Sequence, residues 1–261
     1  MLGVRTTFTA PHDTPWALHT MKLWQRQLLV AVLALCSLGR SWAIDAGTLD
    51  RLLPLADQSN RQAQYHVGML YNNGIGGAPK DPRQAFDWFL KSAQGGDPLG
   101  AYKAGCYFAG QFGTVAMDNE NALHWKQLAA DAGYSLAQYD VGGMYAKAGD
   151  HAKAKQWWKS AADQGFAPAA YQYALALGQE ADGSKVEALA YLRIARALAP
   201  RSVNASALAL QDTWMAGMSH EDRAIAQAIA TAWRPLPSPL STLAASGSQA
   251  IDALLASSPA S

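Results

Sequence analysis

The sequence of 261 residues contains little cysteine, and this scarcity limits how the chain can be stabilised. One of its two cysteines, Cys36, lies in an N-terminal segment that we interpret below as a removable signal peptide. Cys106 would then stand alone, and a single cysteine cannot form an intramolecular disulfide even in an oxidising compartment. We therefore expect packing alone to hold the chain together, with Cys106 as a small packed residue; a reactive thiol is the alternative.

Charge is also scarce, at 16% of residues with a formal net charge of +1. Without the residues before Ile44, the chain has 17 basic and 19 acidic residues, and no basic block. This balance gives no electrostatic footprint for nucleic acid, so we expect no nucleic-acid partner.

Catalytic and ligand-binding motifs are missing as well. The sequence has no Gly-x-Ser-x-Gly elbow, no phosphate-binding loop with its lysine and no His-x-x-x-His pair. Asp87 and Asp140 are interpreted as solvated helix charges rather than as a catalytic pair. The histidines after residue 43 lie at unrelated points: His66, His124, His151 and His220. We predict that the protein is not an enzyme and that it holds no metal and no cofactor.

No apolar run is long enough to cross a bilayer as a helix, which takes about 20 residues. The run from Leu28 to Leu38 instead follows a short basic stretch that begins at Met21, and Ser41-Trp42-Ala43 resembles a cleavage site. This succession predicts a signal peptide over 21–43 and a periplasmic or secreted protein. An uncleaved membrane anchor is one alternative, and lipid attachment at Cys36 is another. Residues 1–20 are interpreted as an upstream extension.

What the sequence does contain is a repeated helical pattern with a period of 32–37 residues. An alanine, an aromatic, a second alanine and a glycine recur with the same offsets. The three sets are Ala85-Trp88-Ala93-Gly96, Ala122-Trp125-Ala130-Gly133 and Ala154-Trp157-Ala162-Gly165, followed by a degenerate set at Ala188, Tyr191 and Ala199. Such a period predicts stacked units that bury their apolar faces against one another.

The upstream half of each unit repeats in register with the downstream half. Small residues occur at offsets 0 and +5, beginning with Ala63 and Gly68, and they predict a helix that a second helix can approach closely. Residues typical of an N-cap lie four positions before each phasing alanine, namely Asp81, Asp118, Asp150 and Ser184. The tryptophans Trp88, Trp125 and Trp157 are predicted to fill the space between helical hairpins.

This layout resembles the Sel1-like repeat (SLR) family, a relative of the tetratricopeptide repeat. The first unit carries the family pattern at Ala63, Val67-Gly68, Tyr71, Gly74, Gly76, Asp81, Ala85, Trp88, Ser92-Ala93 and Gly96. The resemblance implies an all-α protein: a right-handed superhelical α/α solenoid of about four helical hairpins with a C-terminal capping helical pair. It also implies a protein-interaction adaptor or scaffold, which for an exported chain would act in the bacterial envelope. Cysteine-rich relatives suggest a β-lactam or cell-wall hydrolase as an alternative, and a structural spacer is a third.

The predicted organisation follows from these patterns. A lead-in helix occupies 44–60, four hairpins occupy 61–199 and the capping helices occupy 200–234. Residues 235–261 are predicted to be a flexible tail, because Pro235, Pro237 and Pro239 exclude a helix there and few large apolar groups follow. A weak helix near Gln249 to Leu255 is the exception allowed.

The candidate binding residues lie on the first helix of each hairpin, which lines the concave groove in tetratricopeptide-like superhelices. A tyrosine recurs at offset +2 in every unit, and such a ladder could hold a protein or peptide partner. The alternative is that these tyrosines pack between neighbouring first helices. The candidate partner-binding residues are Tyr65, Tyr102, Tyr139, Tyr171, Met69 and Lys103.

Overall fold

The computed structural model describes residues 44–180, 185–199 and 205–257, which are entirely helical in their regular structure. The predictions for residues 1–43, including the signal peptide, and for Ser184 lie outside these residues. The helices are α1 (Thr48–Asp57), α2 (Arg61–Asn73), α3 (Pro82–Gln94), α4 (Pro98–Phe108), α5 (Asn119–Asp131), α6 (Ser135–Lys147), α7 (His151–Asp163), α8 (Ala167–Gly178), α9 (Lys185–Leu198), α10 (Ala205–Ala216), α11 (His220–Ala232), α12 (Pro239–Ala245) and α13 (Ser248–Ser257).

Four antiparallel hairpins form the body of residues 44–257. The pairs α2–α3, α4–α5, α6–α7 and α8–α9 pack most extensively, and each second helix also packs on the first helix of the next hairpin. Helix α1 packs on α2 at one end, and α10 and α11 pack on α9 at the other. The prediction of an all-α solenoid of four hairpins is confirmed.

The predicted helix ends agree with the structure at every described position. The carboxylates of Asp81, Asp118 and Asp150 accept hydrogen bonds from backbone N–H groups in the first turns of α3, α5 and α7. This capping satisfies donors that the helix itself leaves unpaired. Gly133 and Gly165 adopt φ values of 91° and 92°, which only glycine adopts without strain.

The small residue at offset +5 brings the two helices of a hairpin together, as predicted. A Cβ atom at Gly68 would lie 2.7 Å from the ring of Phe89, and one at Gly142 would lie 2.6 Å from the ring of Trp158. At Gly105 the corresponding neighbour is the Lys126 side chain, at 2.7 Å. The side chain that fills this contact therefore comes from the position four residues after the phasing alanine, which the sequence did not single out because its residue type changes from unit to unit.

The predicted tryptophans lie between hairpins and remain half-buried. Trp88 packs against a cluster from α1, α2 and α13, and Trp125 packs against apolar residues of α3 and α4. Trp157 packs against the cluster around Val141. Trp125 and Trp157 thus pack against clusters that include residues of the preceding hairpin, whereas Trp88, in the first hairpin, packs against a cluster that includes α1.

The C-terminal residues differ from the prediction of a flexible tail, except that a helix covers the stretch from Gln249 to Leu255 where a weak one was allowed. Residues 239–245 and 248–257 form α12 and α13, and Ile251 and Leu254 are buried against the α1–α2 cluster. Pro239 occupies the first turn of α12, where a missing N–H costs nothing, and Ser238 caps the helix. The prolines therefore delay the helix rather than exclude it, and two well-placed apolar side chains hold α13.

Candidate functional site

The four tyrosines at offset +2 occupy the same position in their repeats, but they differ in how much of each side chain is exposed. Tyr102 is buried, with 7% of its surface exposed, whereas Tyr65, Tyr139 and Tyr171 are half-buried. The ring of Tyr102 meets that of Tyr134 edge-on at 5.1 Å, and a tilted contact at 5.3 Å joins Tyr139 to Phe166. These neighbours precede the next first helix directly. The central tyrosines therefore pack between repeats, as the alternative interpretation has it, and their predicted role in binding stays a prediction.

A buried ion pair lies beside Tyr102. The ammonium of Lys126 lies 2.6 Å from an Asp140 carboxylate oxygen, and the Tyr102 hydroxyl donates to that same oxygen at 3.2 Å. The Lys126 side chain is only 5% exposed and that of Asp140 is 20% exposed. The interpretation of Asp140 as a solvated charge was wrong, because its partner enters from the preceding helix, where a sequence pattern cannot place it.

The remaining candidates have simpler environments. Lys103 is half-buried on α4, and Met69 is half-buried against the cluster that contains Phe89. Cys106 is buried, and this burial raises the pKa of its thiol. A raised pKa keeps the thiol protonated and unreactive, as expected for a packed residue.

Around Tyr65, the structure has a cavity instead of a packed junction. This cavity of about 390 Å³ lies between α2 and the pair α12–α13 and is partly open to solvent, with Tyr65, His66, Met69 and Asp97 on one side. Burial raises the pKa of Tyr65 and lowers that of His66 to about 4, so the imidazole is neutral at pH 7. Neither the Tyr65 hydroxyl nor the His66 ring makes a hydrogen bond to a described residue.

Asp97 closes this cavity at the start of α4. Its carboxylate accepts a hydrogen bond from the Gly100 N–H at 2.8 Å and so caps the helix. Burial raises the pKa of the carboxyl group, although these backbone hydrogen bonds oppose the shift. The position before the first helix is therefore polar here, whereas Tyr134 and Phe166 occupy it in the next two repeats.

The polypeptide between α11 and α13 lies across the loops that connect successive hairpins. The Leu236 N–H donates to the Asp163 carbonyl at 2.9 Å, and the Ser238 hydroxyl donates to the Gly133 carbonyl at 2.7 Å. Gln164 accepts from the Ser238 N–H at 3.1 Å and from the Ser241 hydroxyl at 2.7 Å. Sequence reasoning missed this site, because its acceptors are mostly backbone carbonyls that leave no sequence signature.

Neither a metal site nor a membrane span is present in the part of the chain that the structure describes. No three side chains of His, Cys, Asp or Glu come together there as metal ligands would. None of the helices in residues 44–180, 185–199 and 205–257 has the length and apolar character needed to cross a bilayer.

The stacked hairpins and their inter-hairpin loops define an α/α repeat solenoid that presents an extended surface. The Sel1 repeat family matches residues 61–97, 98–134 and 135–166, so these residues form three Sel1 repeats and the predicted resemblance is confirmed. The matched boundaries coincide with hairpins α2–α3, α4–α5 and α6–α7. Repeats of this family mediate protein–protein interactions and generally serve as non-catalytic scaffolds.

This chain is similar to several known proteins. A Sel1 repeat protein from Oxalobacter formigenes is 21% identical, with a TM-score of 0.54 over 69% of this chain and 76% of that one. The c5321 antigen of uropathogenic Escherichia coli is 20% identical, with a TM-score of 0.43 over 79% of this chain and 50% of that one. Chitin synthase regulatory factor 3 of Schizosaccharomyces pombe is 35% identical over 85 residues, which are 31% of this chain and 9% of that protein.

Proposed function

We propose that this protein is an exported adaptor that binds a protein partner across its inter-hairpin loops and the exposed side of α2. The observation that carries the proposal is the extended segment already held there. Its backbone N–H groups at Leu236 and Ser238 donate to Asp163 and Gln164, so these loops offer acceptors that an extended peptide can use. Hydrogen bonds to the main chain supply affinity for a peptide without demanding one sequence.

Export is the part of the proposal that rests on sequence. A basic stretch, an apolar run and small residues precede Ile44, and Cys106 is the single cysteine after that point. We expect the protein in the native host to begin near Ile44 and to lie outside the cytoplasm, in the envelope of a bacterium. N-terminal sequencing of the protein from fractionated cells tests this, and an intact Met1 or Met21 terminus on cytosolic protein would contradict it.

Partner binding is tested separately by affinity capture from the native envelope. The tagged chain should enrich a defined protein, and Tyr65→Ala should reduce that enrichment because Tyr65 lines the proposed surface. His124→Ala is the matched control, since His124 is exposed on the second helix of the next hairpin. Equal capture by both variants would remove Tyr65 from the binding surface, and no capture by the wild type would favour a structural spacer.

A further inference from the structure

The C-terminal segment, which we define as residues 235–257, crosses the array in the reverse order of the repeats. It leaves α11, passes the C-terminal end of α7 at Asp163 and then the α5–α6 loop at Gly133. Its last helix, α13, then packs on α2 in the first hairpin. One continuous segment thus touches the junctions of successive repeats.

The loops are shaped for this close approach. A Cβ atom at Gly165 would lie 3.0 Å from the Pro235 side chain, and one at Gly133 would lie 3.2 Å from the Cβ atom of Ser238. Both glycines have positive φ and therefore expose their backbone without a side chain. Ser241 adds a polar anchor, since its hydroxyl accepts from the Ser135 N–H at 3.0 Å.

The far end of the segment fits less closely. Ile251 and Leu254 are buried, and together with Ala250 and Ala253 they line the cavity of about 390 Å³ over α2. Two alanines leave this space unfilled, so the contact lacks dispersion energy that larger side chains would supply. The C-terminal segment therefore packs closely against the loops but leaves space unfilled where it packs against α2.

We propose that the inter-hairpin loops and α2 bind a segment of a partner protein that resembles the C-terminal segment. The partner segment has an extended stretch containing serine and proline, followed by an amphipathic helix with bulkier apolar residues facing α2. The C-terminal segment covers this surface within the same chain, so the partner must displace it in order to bind. This inference rests on the proposed adaptor function and specifies both its partner and its regulation. An occupied surface lowers the apparent affinity for a partner in proportion to the fraction of open molecules.

A reversible tether tests the proposal in the full chain. The hydroxyl oxygens of Ser135 and Ser241 lie 3.2 Å apart, so S135C with S241C should form a disulfide that holds the segment in place. Cys36→Ser leaves the buried Cys106 as the one cysteine besides the engineered pair, and S135A with S241A controls for the lost hydrogen bonds. The probe is a fluorescein-labelled synthetic peptide of residues 233–257 carrying Ala250→Leu, measured by fluorescence anisotropy.

We expect the reduced tethered chain to bind the peptide at least about tenfold more tightly than the oxidised chain, because only the reduced form opens. The full chain carrying I251D and L254D should bind more tightly still, and its helical circular dichroism should match that of the wild type. The S135A and S241A control should bind the peptide equally with and without reductant.

Equal binding by the oxidised and reduced chains, or no binding by a folded I251D and L254D chain, would overturn the proposal. Dimers seen by light scattering only in the reduced form would also overturn it, because the occupant would then be a second copy of the chain. Capture of an envelope protein by the oxidised chain as efficiently as by the wild type would separate the two proposals. In that case the protein is still an adaptor, but both the partner segment proposed here and the placement of the partner on the loops and α2 are wrong.

Discussion

Tyr65 and Tyr102 occupy the same position in successive repeats, yet they lie in opposite environments. Tyr102 is buried, packs against Tyr134 and donates to the carboxylate of Asp140. Tyr65 lines a cavity, and its hydroxyl has no hydrogen-bond partner among the described residues. Equivalent register therefore predicts where a residue lies on its helix but not what surrounds it.

One position accounts for much of this difference. The residue just before the next first helix is Tyr134 beside Tyr102, but it is Asp97 beside Tyr65. A tyrosine fills the junction, whereas a short carboxylate that caps α4 leaves space above α2. The junction between the second and third repeats is thus closed by side chains of the repeats themselves. At the junction between the first and second repeats, α13 covers α2 instead.

The largest effect is expected at the closed junction. Asp140→Ala should cost about 3–5 kcal/mol of unfolding free energy, because it leaves the Lys126 ammonium buried without its partner. Asp87→Ala is the control, since the exposed pair of Asp87 with Arg83 at 3.7 Å should contribute less than about 1 kcal/mol. Urea denaturation followed by circular dichroism measures both, and similar losses would show that the Lys126–Asp140 pair is not effectively buried.

A smaller loss is expected from the tryptophan next to that junction. Trp125→Ala should cost about 3 kcal/mol, near the lower end for a large aromatic, because Trp125 is half-buried against α3 and α4. Trp88→Ala, at the same position in the first repeat, should also loosen α13, because Trp88 packs on the cluster that contains Ile251. Limited proteolysis should then release the C-terminal segment from the Trp88 variant first, and equal protection in both variants would contradict this.

The features predicted from sequence are those fixed by local chemistry. N-cap aspartates, terminal glycines and the small residues at offsets 0 and +5 each act within a few residues of chain, so one sequence suffices to find them. Lys126 and Asp140 could not be recognised as a buried pair, because each is an ordinary surface residue until tertiary packing brings them together.

The C-terminal segment was missed for a different reason. Serine, proline and alanine make up most of it, and the acceptors that hold it include the backbone carbonyls of Asp163 and Gly133, a group that every residue has. The spacing of Ile251 and Leu254 is the one local signal that one face of α13 is buried, and it is too short to outweigh three prolines.

The open junction should respond to pH through His66. Its pKa is about 4 in the folded chain against an ordinary value of 6.5, because burial disfavours the charged imidazole. The unfolded chain therefore binds more protons between these values, and stability that is complete above pH 6.5 should fall by up to about 3 kcal/mol as the pH drops to 4. His66→Gln should flatten this part of the stability profile, while the control His124→Gln should leave it as in the wild type.

The smallest and most direct test removes one hydroxyl from each tyrosine of the compared pair. Tyr102→Phe should cost about 1 kcal/mol, because it deletes the hydrogen bond from the Tyr102 hydroxyl to the Asp140 carboxylate. Tyr65→Phe should change the unfolding free energy by less than about 0.5 kcal/mol, since its hydroxyl has no protein partner to lose among the described residues. Both changes keep the ring, so packing is matched and only hydrogen bonding differs. A loss of 1 kcal/mol or more from Tyr65→Phe, measured by urea denaturation, would mean that the first junction is as closed as the second, and α13 would then be a permanent part of the fold rather than a displaceable cover.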